Sequence, residues 1–343
     1  MKKQILVTGG TGFIGSHTAV ELINEGYEVI IIDNLSNSKI DSLDGIENIT
    51  GVRPIFENFD LCDANKLNSF FEKYPRISGI IHFAASKAVG ESVDKPLLYY
   101  RNNILSLVNL LEAMKQHKIE NIIFSSSCTV YGEPDSLPIT EQAPVKKANS
   151  PYGNTKQIAE EILQDSVIAI PEIKTIALRY FNPIGAHKSA LIGELPIGVP
   201  LNLVPFITQT AIGIRQQLSV YGNDYNTSDG TCIRDYIHVV DLAKAHVIAV
   251  KRLLENKNKN RYEVFNIGTG KGSTVLEIIN TFEKVNALKL NYKIVDRRAG
   301  DIEKIYADTH YANTELGWKA ESTLEETLNS AWKWEQYIRS KMK

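Results

Sequence analysis

Apolar residues in the first half of the chain occur in short continuous runs that are separated by longer amphipathic stretches. Six of these runs are predicted β-strands, at residues 5–7, 29–32, 52–56, 79–83, 121–125 and 175–180. Continuous apolar strands that alternate with helices are typical of a parallel sheet covered by helices on both faces. Because crossovers between parallel strands are right-handed, the pattern predicts a Rossmann-like, doubly wound α/β fold.

The pattern changes after residue 180. Residues 183–205 are rich in Gly and Pro and carry only scattered apolar positions, so they predict an irregular loop. Residues 239–254 predict another amphipathic helix, and residues 263–267 a further strand. The second half of the chain therefore mixes helices, strands and long loops.

The length and apolar content of the chain bound its domain organisation. With 343 residues, 43% of them apolar, the chain can fill the core of one large domain or two moderate ones. We expect a dinucleotide-binding domain over residues 1–180 and a smaller mixed α/β substrate domain over residues 181–343. Residues 236–267 are expected to pack back on the first domain.

A glycine-rich motif follows the first predicted strand and opens a predicted helix. Gly9, Gly12 and Gly15 have the spacing GxxGxxG. Without Cβ atoms the turn can tighten and its backbone can approach a pyrophosphate, which the helix N-terminus also attracts. A tight turn without a ligand is the alternative interpretation. Asp33, which closes the second predicted strand, can accept from ribose hydroxyls, and its charge favours NAD over NADP.

Further cofactor contacts are predicted at the tips of the neighbouring strands. Asp60 and Leu61 are candidates for the adenine end, although an exposed Asp at a strand end is equally ordinary. Phe83 and Ala84 end the fourth predicted strand, where small residues would let a cofactor lie across the sheet. Beside the glycine motif and Asp33, the predicted contacts also include Phe13, Ile14 and Asn34.

Three polar side chains form the candidate chemical site. Ser127 ends the fifth predicted strand, and ligands of open parallel sheets gather at the carboxyl ends of strands. Tyr152 and Lys156 are four residues apart, so on a helix they share one face. We expect Ser127 to orient a substrate oxygen, Tyr152 to exchange its proton and Lys156 to lower the tyrosine pKa. Without that pair, the serines could equally be the start of a loop.

Composition argues against several other classes of protein. The 38 basic and 40 acidic residues nearly cancel without long runs of one sign, which argues against a nucleic-acid partner. No segment approaches the roughly twenty apolar residues of a membrane span. Three scattered cysteines without a CxxC pair favour a reducing compartment, and hence the cytoplasm. The seven histidines show no metal-binding spacing, so no metal site is expected.

Some conspicuous residues are better explained by structure than by chemistry. Residues 268–273 superficially suggest a phosphate loop, but their lysine does not fit that pattern and a strand-to-helix turn is preferred. His238 lies in an apolar run and is predicted to be structural. Trp318, Trp332 and Trp334 are predicted to be packing residues.

Several motifs in a fixed order resemble those of a known family. They lie at residues 86–92, 124–132, 150–156, 178–183, 222–225, 234–239 and 297–301. With the glycine motif, they resemble the extended short-chain dehydrogenases/reductases and, within that superfamily, the UDP-glucose 4-epimerase family. The similarity extends from residue 3 to about residue 334.

The resemblance implies reversible epimerisation at C4 of a UDP-hexose through a 4-keto sugar, with bound NAD regenerated in each cycle and a role in galactose metabolism. Further NAD contacts implied by it are Lys87, Asn102, Ser125, Tyr152, Lys156, Tyr180 and Phe181. The implied UDP-sugar site comprises Ser127, Tyr152, Asn182, Asn202, Leu203, Tyr221, Arg234, Arg298, Asp301 and Ile305. The family is usually dimeric, and residues 102–115 and 152–166 are candidate interface helices.

Ile305 leaves the preferred sugar open. In the family this position lies beside the sugar, and it is large in strict glucose/galactose enzymes and small in those that accept N-acetyl sugars. Isoleucine is intermediate, so we expect UDP-glucose/UDP-galactose activity, with a UDP-N-acetylglucosamine 4-epimerase or a dual-specificity enzyme as the alternative.

A 4,6-dehydratase would need an Asp-Glu pair where Cys128 and Thr129 stand. A regulatory protein of this fold would commonly lack both the tyrosine and the lysine.

Overall fold

A computed structural model describes residues 2–298 and 300–341. The strands are β1 (Gln4–Thr8), β2 (Glu28–Ile32), β3 (Ile55–Glu57), β4 (Ile77–His82), β5 (Asn121–Ser127), β6 (Lys174–Tyr180), β7 (Asn182–Ile184), β8 (Leu218–Tyr221), β9 (Ile233–Arg234), β10 (Tyr236–His238), β11 (Tyr262–Ile267), β12 (Ser273–Thr274), β13 (Tyr292–Val295) and β14 (Lys304–Ile305). The α-helices are α1 (Phe13–Asn24), α2 (Ser42–Thr50), α3 (Ala64–Lys73), α4 (Val89–Asp94), α5 (Pro96–His117), α6 (Pro151–Ala169), α7 (Leu203–Ala211), α8 (Val239–Leu254), α9 (Val275–Asn286) and α10 (Leu324–Lys341).

Seven parallel strands form the large sheet, in the order β11-β6-β5-β4-β1-β2-β3. Alternate residues of each strand enter two separate cores, because successive side chains point to opposite faces. Val7 packs in the core that contains residues of α1 and α8, whereas Leu6 packs in the core with α3, α5 and α6. The predicted Rossmann-like α/β fold is confirmed.

The chain returns to the large sheet after a long excursion. Strand β11 pairs in parallel with β6 along its whole length, and α8 packs against α1. His238 begins α8 as its N-cap, where its Nδ1 accepts a hydrogen bond from the backbone N–H of Val240 at 3.0 Å. Its role in the fold is therefore structural, as the sequence predicts.

A third apolar core lies outside the large sheet. It is formed mainly by side chains of α7, α9 and α10, together with Leu218 and Val220 of β8. Phe282 is fully buried there, and the ring of Trp332 meets it edge to face at 5.9 Å. Trp318 is 3% exposed and packs in the core that contains residues of α1 and α8. The predicted packing roles of these two tryptophans are borne out by their positions.

The segment at 183–205 departs from the predicted irregular loop at both ends. Pro183 lies in β7, which pairs in parallel with β10, and Leu203 begins α7. Pro205 lies in the first turn of α7, although the sequence predicts a loop there. Proline is tolerated at this position because the backbone N–H that it lacks would have no acceptor within the helix. Between these elements the chain is irregular apart from one bridge between Ala186 and Gly193.

In the described part of the chain, no helix combines the length and the apolar character needed to cross a membrane.

Candidate active site

The glycine turn between β1 and α1 is tightly packed against the neighbouring strand. Gly9 has a φ of 69°, and a Cβ there would lie 2.8 Å from the backbone nitrogen of Ala84. A Cβ on Gly15 would lie 2.3 Å from the carbonyl oxygen of Gly9, whereas the same oxygen accepts a hydrogen bond from the N–H of Gly12 at 3.1 Å. Only glycine allows the backbone to fold this closely at the start of a helix. The turn leaves the helix N-terminus open toward a phosphate group.

Asp33 connects this turn to the tip of β2. Its carboxylate accepts hydrogen bonds from the backbone N–H of Thr11 at 3.2 Å and of Leu35 at 2.9 Å, and from the hydroxyl of Ser38 at 3.0 Å. The side chain is largely buried yet borders the cleft above the sheet. A fixed carboxylate at this edge can accept from vicinal ribose hydroxyls and repels a phosphate at the same position.

One cleft runs along the carboxyl ends of the parallel strands and collects the predicted cofactor residues. All of them except Phe181 line it, namely Gly9, Gly12, Phe13, Ile14, Gly15, Asp33, Asn34, Asp60, Leu61, Phe83, Ala84, Lys87, Asn102, Ser125, Tyr152, Lys156 and Tyr180. Sequence reasoning missed Ile32, Ser36, Asn37, Phe59, Ser86 and Ser106. The polar loop after β2 could have indicated Ser36 and Asn37, whereas Phe59 and Ser106 lie outside any motif.

The catalytic candidates meet where β5 ends beside the N-terminal turn of α6. Helix α6 begins at Pro151, and the Ser150 hydroxyl caps it by accepting from the N–H of Gly153 at 3.1 Å. Lys156, one turn after Tyr152, donates from Nζ to the carbonyl oxygen of Ser125 at 2.6 Å. Its ammonium nitrogen lies 5.9 Å from the centre of the Tyr152 ring. The predicted pair therefore shares one face of a helix and faces the cleft.

Burial shapes the electrostatics of the pair. Burial raises the pKa of the Tyr152 phenol above its ordinary value, while a hydrogen bond with Ser127 acts in the opposite direction. Burial also lowers the pKa of Lys156, to about 8. Burial is thus the largest influence on the Tyr152 pKa, and the lowering of that pKa by Lys156 stays a prediction. A cation bound beside the phenol would stabilise the phenolate and move its pKa downward.

Tyr180 adds a further polar group to the lining of the cleft near Tyr152. Its hydroxyl and that of Ser125 are 2.6 Å apart, and the two residues lie on the adjacent strands β6 and β5. Burial raises the pKa of Tyr180 to about 12, so its phenol stays protonated at neutral pH. A protonated Tyr180 supplies a hydrogen bond rather than a charge to this part of the cleft.

Two predicted anion-binding arginines converge in the C-terminal half. Arg298 donates from Nη2 to Asp301 at 2.7 Å, and an Nη2 atom of Arg234 lies 3.8 Å from the same carboxylate oxygen. The guanidinium of Arg298 lies 5.6 Å from the centre of the Tyr221 ring. Guanidinium groups bind phosphate oxygens in two-pronged fashion, and an aromatic ring beside them suits a base or sugar. The structure therefore brings these four candidates together.

Ile305 is buried in a small apolar cluster that reaches the residue next to Ser127. It lies opposite Arg234 in the pairing of β14 with β9. The cluster also contains Phe181 and Cys128, the residue after Ser127. Phe181 therefore contributes to the walls around Ile305 rather than to the lining of the cofactor cleft. Burial raises the pKa of the Cys128 thiol to about 12.

The other predicted substrate residues lie on elements around the same region. Asn182 begins β7, where its N–H donates to the carbonyl oxygen of Asp235 at 2.9 Å. Asn202 is the residue before α7, and its amide donates to Glu194 at 2.7 Å. Leu203 begins α7 and packs against the third core.

Comparison with known proteins agrees with this geometry. A family model described as GDP-mannose 4,6 dehydratase matches residues 6–331. The chain is 49% identical over 332 residues to a UDP-glucose 4-epimerase from Haemophilus influenzae, with 97% of each chain covered. A structure of UDP-glucose 4-epimerase from Bifidobacterium longum in complex with NAD+ and UDP aligns with a TM-score of 0.94 at 47% identity, covering 98% of this chain and 99% of that one. Another, from Stenotrophomonas maltophila with bound NAD and formylated UDP-arabinopyranose, aligns with a TM-score of 0.95 at 43% identity and 99% coverage of both.

The glycine turn, the Ser-Tyr-Lys constellation and the matched family model define an extended short-chain dehydrogenase/reductase. Within that class, the chain belongs to the UDP-glucose 4-epimerase family, because full-length relatives of that family share about half of its residues.

The crowding at Gly15 gives a direct test of the cofactor cleft. We expect Gly15→Ala to weaken binding of added NAD at least about 10-fold, because the new methyl group must displace the backbone of Gly9 that shapes the turn. Gly90→Ala is the matched control, since a Cβ at Gly90 meets open space. Isothermal titration with NAD measures both affinities, and equal affinities would show that the turn does not hold the dinucleotide.

Proposed function

We propose that the protein interconverts UDP-galactose and UDP-glucose by epimerisation at C4, with NAD as a bound cofactor. The observation that carries this proposal is the meeting of Tyr152 and Lys156, with Ser127 beside the phenol, at one end of a cleft that also contains the glycine turn. A proton-transfer site next to a dinucleotide site is what oxidation and reduction of a hydroxyl carbon require.

The residues of the cleft fit NAD. Gly9, Gly12 and Gly15 give a backbone cradle that a Cβ would fill, and this cradle suits the pyrophosphate. Asp33 suits the adenosine ribose and disfavours a 2′-phosphate. Lys156 and Tyr180 line the other end, where the nicotinamide would lie. When bound, NAD supplies the acceptor for the hydride from C4 and the source that returns it to the opposite face.

Tyr152 is the group that exchanges the proton of the 4-hydroxyl. Because burial raises its pKa, the phenol needs positive charge nearby to give up its own proton. Lys156 is anchored by the Ser125 carbonyl oxygen and supplies part of that charge in its ammonium form. Ser127 hydrogen-bonds the phenol and can orient the sugar oxygen. Proton removal and return then use the same phenol within one bound cycle.

The UDP group keeps the 4-keto sugar tethered while it turns over. Arg234 and Arg298 converge near Asp301 and are suited to the diphosphate. Binding energy from this remote part of the substrate can hold the nucleotide while the sugar presents its other face to the cofactor. The small reactive centre therefore works with a larger nucleotide site.

The residues after Ser127 argue against a 4,6-dehydratase, although the matched family model carries that description. Elimination needs an acid and a base beside the sugar, and an Asp-Glu pair usually supplies them. Here Cys128 and Thr129 follow. The Cys128 thiol stays neutral because burial raises its pKa to about 12, and the backbone N–H of Thr129 donates to Ser127.

Replacing the phenol tests the mechanism. We expect Tyr152→Phe to lower kcat for UDP-galactose by about 100- to 10,000-fold, because the variant has no group to take the proton. Tyr292→Phe, at a partly exposed position on β13, is the matched control. A coupled assay for UDP-glucose, run without added NADH, measures the rate. An unchanged rate in Tyr152→Phe would show that another group is the base.

Ile305 decides between glucose/galactose and N-acetyl sugars. We propose that the wild type prefers the glucose/galactose pair, since the buried side chain of Ile305 occupies space in the apolar cluster beside Ser127. Ile305→Ala should raise kcat/KM for UDP-N-acetylglucosamine relative to UDP-glucose by about 10-fold or more, because pocket volume discriminates sugars. Ile294→Ala, at an exposed position, is the control. A wild type that favours the N-acetyl pair would support the UDP-N-acetylglucosamine 4-epimerase or dual-specificity alternative.

We propose a division into a cofactor domain over residues 1–180, joined by residues 236–267, and a UDP-sugar domain over residues 181–343. The separate apolar core of α7, α9 and α10 supports this division, as does the pairing of β11 with β6. Limited proteolysis, with sequencing of the first cut sites, measures where the boundaries fall.

We propose a cytoplasmic enzyme of galactose metabolism. All three cysteines are free, which suits a reducing compartment. Interconversion of UDP-galactose and UDP-glucose links the use of galactose to that of glucose. Restoration of growth on galactose in cells that lack the activity, together with cell fractionation, measures both points.

We propose a homodimer formed through the face of α4, α5 and α6. Large apolar side chains on α4 and α5 are exposed, with Leu97 at 82%, Val93 at 61% and Leu98 at 48%. Exposed apolar patches are typical of protein interfaces. Sedimentation velocity should show a dimer for the wild type and a monomer for Leu97→Asp. A monomeric wild type would contradict the proposal.

A further inference from the structure

Glu160 is a buried carboxylate in α6 that takes no direct part in the proton exchange proposed for Tyr152. It lies four residues after Lys156 and eight after Tyr152, so all three side chains share one face of the helix. Glu160 is 4% exposed. A carboxylate is found at such a buried position only when its charge is paired and its oxygens are hydrogen-bonded.

Both oxygens of Glu160 are occupied by donors from the large sheet. Arg179 donates from Nε to one oxygen at 2.9 Å and from Nη2 to the other at 2.5 Å. The hydroxyl of Ser126 donates to the first oxygen at 2.5 Å, and that of Tyr262 to the second at 3.4 Å. The guanidinium of Arg179 lies 4.8 Å from the centre of the Tyr131 ring. The charge is thus paired in two-pronged fashion and fully hydrogen-bonded.

The partners of Glu160 belong to the strands that carry the catalytic groups. Ser126 and Arg179 lie opposite each other in the pairing of β5 with β6. Ser126 stands between Ser125 and Ser127, and Tyr180 follows Arg179. These flanking side chains point to the other side of their strands or toward the strand ends, where the cleft lies. The carboxylate therefore ties α6 to both strands immediately behind the site.

Charge links Glu160 to Lys156 as well. The pKa of Lys156 is lowered by burial, and the carboxylate of Glu160 acts in the opposite direction. Glu160 therefore favours the ammonium form of the lysine that Tyr152 needs beside it.

A role in stability alone would not require this pair. Replacing a buried ion pair with apolar side chains of similar volume is often neutral or stabilising, whereas removing one partner is strongly destabilising. Directional bonds, in contrast, fix where a helix lies against a sheet. The two roles can therefore be separated by experiment.

We propose that Glu160 and Arg179 form a positioning clamp that holds α6 against the tips of β5 and β6 and so sets Tyr152 and Lys156 at the reacting carbon. This proposal rests on the epimerase function proposed above. Neither clamp residue is expected to touch the substrate.

Glu160→Gln in the holoenzyme tests the clamp, because the amide keeps the size of the side chain but removes its charge. We expect kcat for UDP-galactose to fall about 10- to 100-fold, since small misplacements of a reacting group cost rates of this order. KM should change less than about 2-fold, because the diphosphate contacts at Arg234 and Arg298 are untouched. Glu161→Gln, the exposed neighbour on the same helix, is the matched control and should match the wild type in both constants.

A paired replacement separates positioning from stability. Glu160→Leu alone leaves a buried guanidinium unpaired and should shift the urea midpoint of unfolding downward, and adding Arg179→Met should restore that midpoint. The double variant should nevertheless keep the low kcat. Recovery of kcat together with the midpoint, or a wild-type kcat in Glu160→Gln, would overturn the clamp. If the double variant does not fold, Glu160→Gln decides. A wild type that does not convert UDP-galactose would contradict the proposed function instead.

Discussion

The parallel direction of the seven strands in the large sheet is the constraint on which the rest of the structure depends. Because every strand ends at the same edge, residues that are far apart in sequence meet there. The glycine turn follows β1, Asp33 follows β2 and the serines end β5. Helix α6 then needs only to lie beside β5 for Tyr152 and Lys156 to reach the same cleft. The order of the strands across the sheet therefore becomes the order of these groups along the cleft.

The patterns that predicted the fold are those in which local and tertiary preferences agree. Continuous apolar runs predicted the strands, because both faces of the sheet are covered, as Leu6 and Val7 show by packing in different cores. The GxxGxxG motif predicted a turn that the closeness of Gly15 to Gly9 explains physically. The spacing of Tyr152 and Lys156 predicted their common helix face. In each case a period or a spacing in sequence has a direct geometric meaning.

What sequence reasoning missed depends on contacts between distant segments. Helix α7 starts within a Gly- and Pro-rich stretch, and its place is fixed by packing against the third core rather than by its own pattern. Phe181 directly follows Tyr180, which lines the cleft. Because β6 ends at Tyr180, the side chain of Phe181 packs instead in the apolar cluster around Ile305. Ser106 lies on the buried face of the long helix α5, and only the packing of that face against the rest of the fold brings it to the cleft. None of these positions could be inferred from neighbours in sequence.

Burial has opposing consequences at the site, and these explain why the catalytic groups need support from behind. An apolar surrounding strengthens every electrostatic interaction that a ligand makes, but it also raises the pKa of the Tyr152 phenol and lowers that of the Lys156 ammonium. Both shifts move the groups away from the charged forms that proton removal uses. Compensation comes from charges on two sides: Glu160 behind the site favours the ammonium form of Lys156, and an oxidised nicotinamide in front of it would favour the phenolate form of Tyr152. A buried carboxylate is stable only with its own counter-charge, which Arg179 supplies from the adjacent strand. The buried ion pair of Glu160 and Arg179 beneath the cleft is thus a consequence of the charged groups that proton removal requires at the cleft.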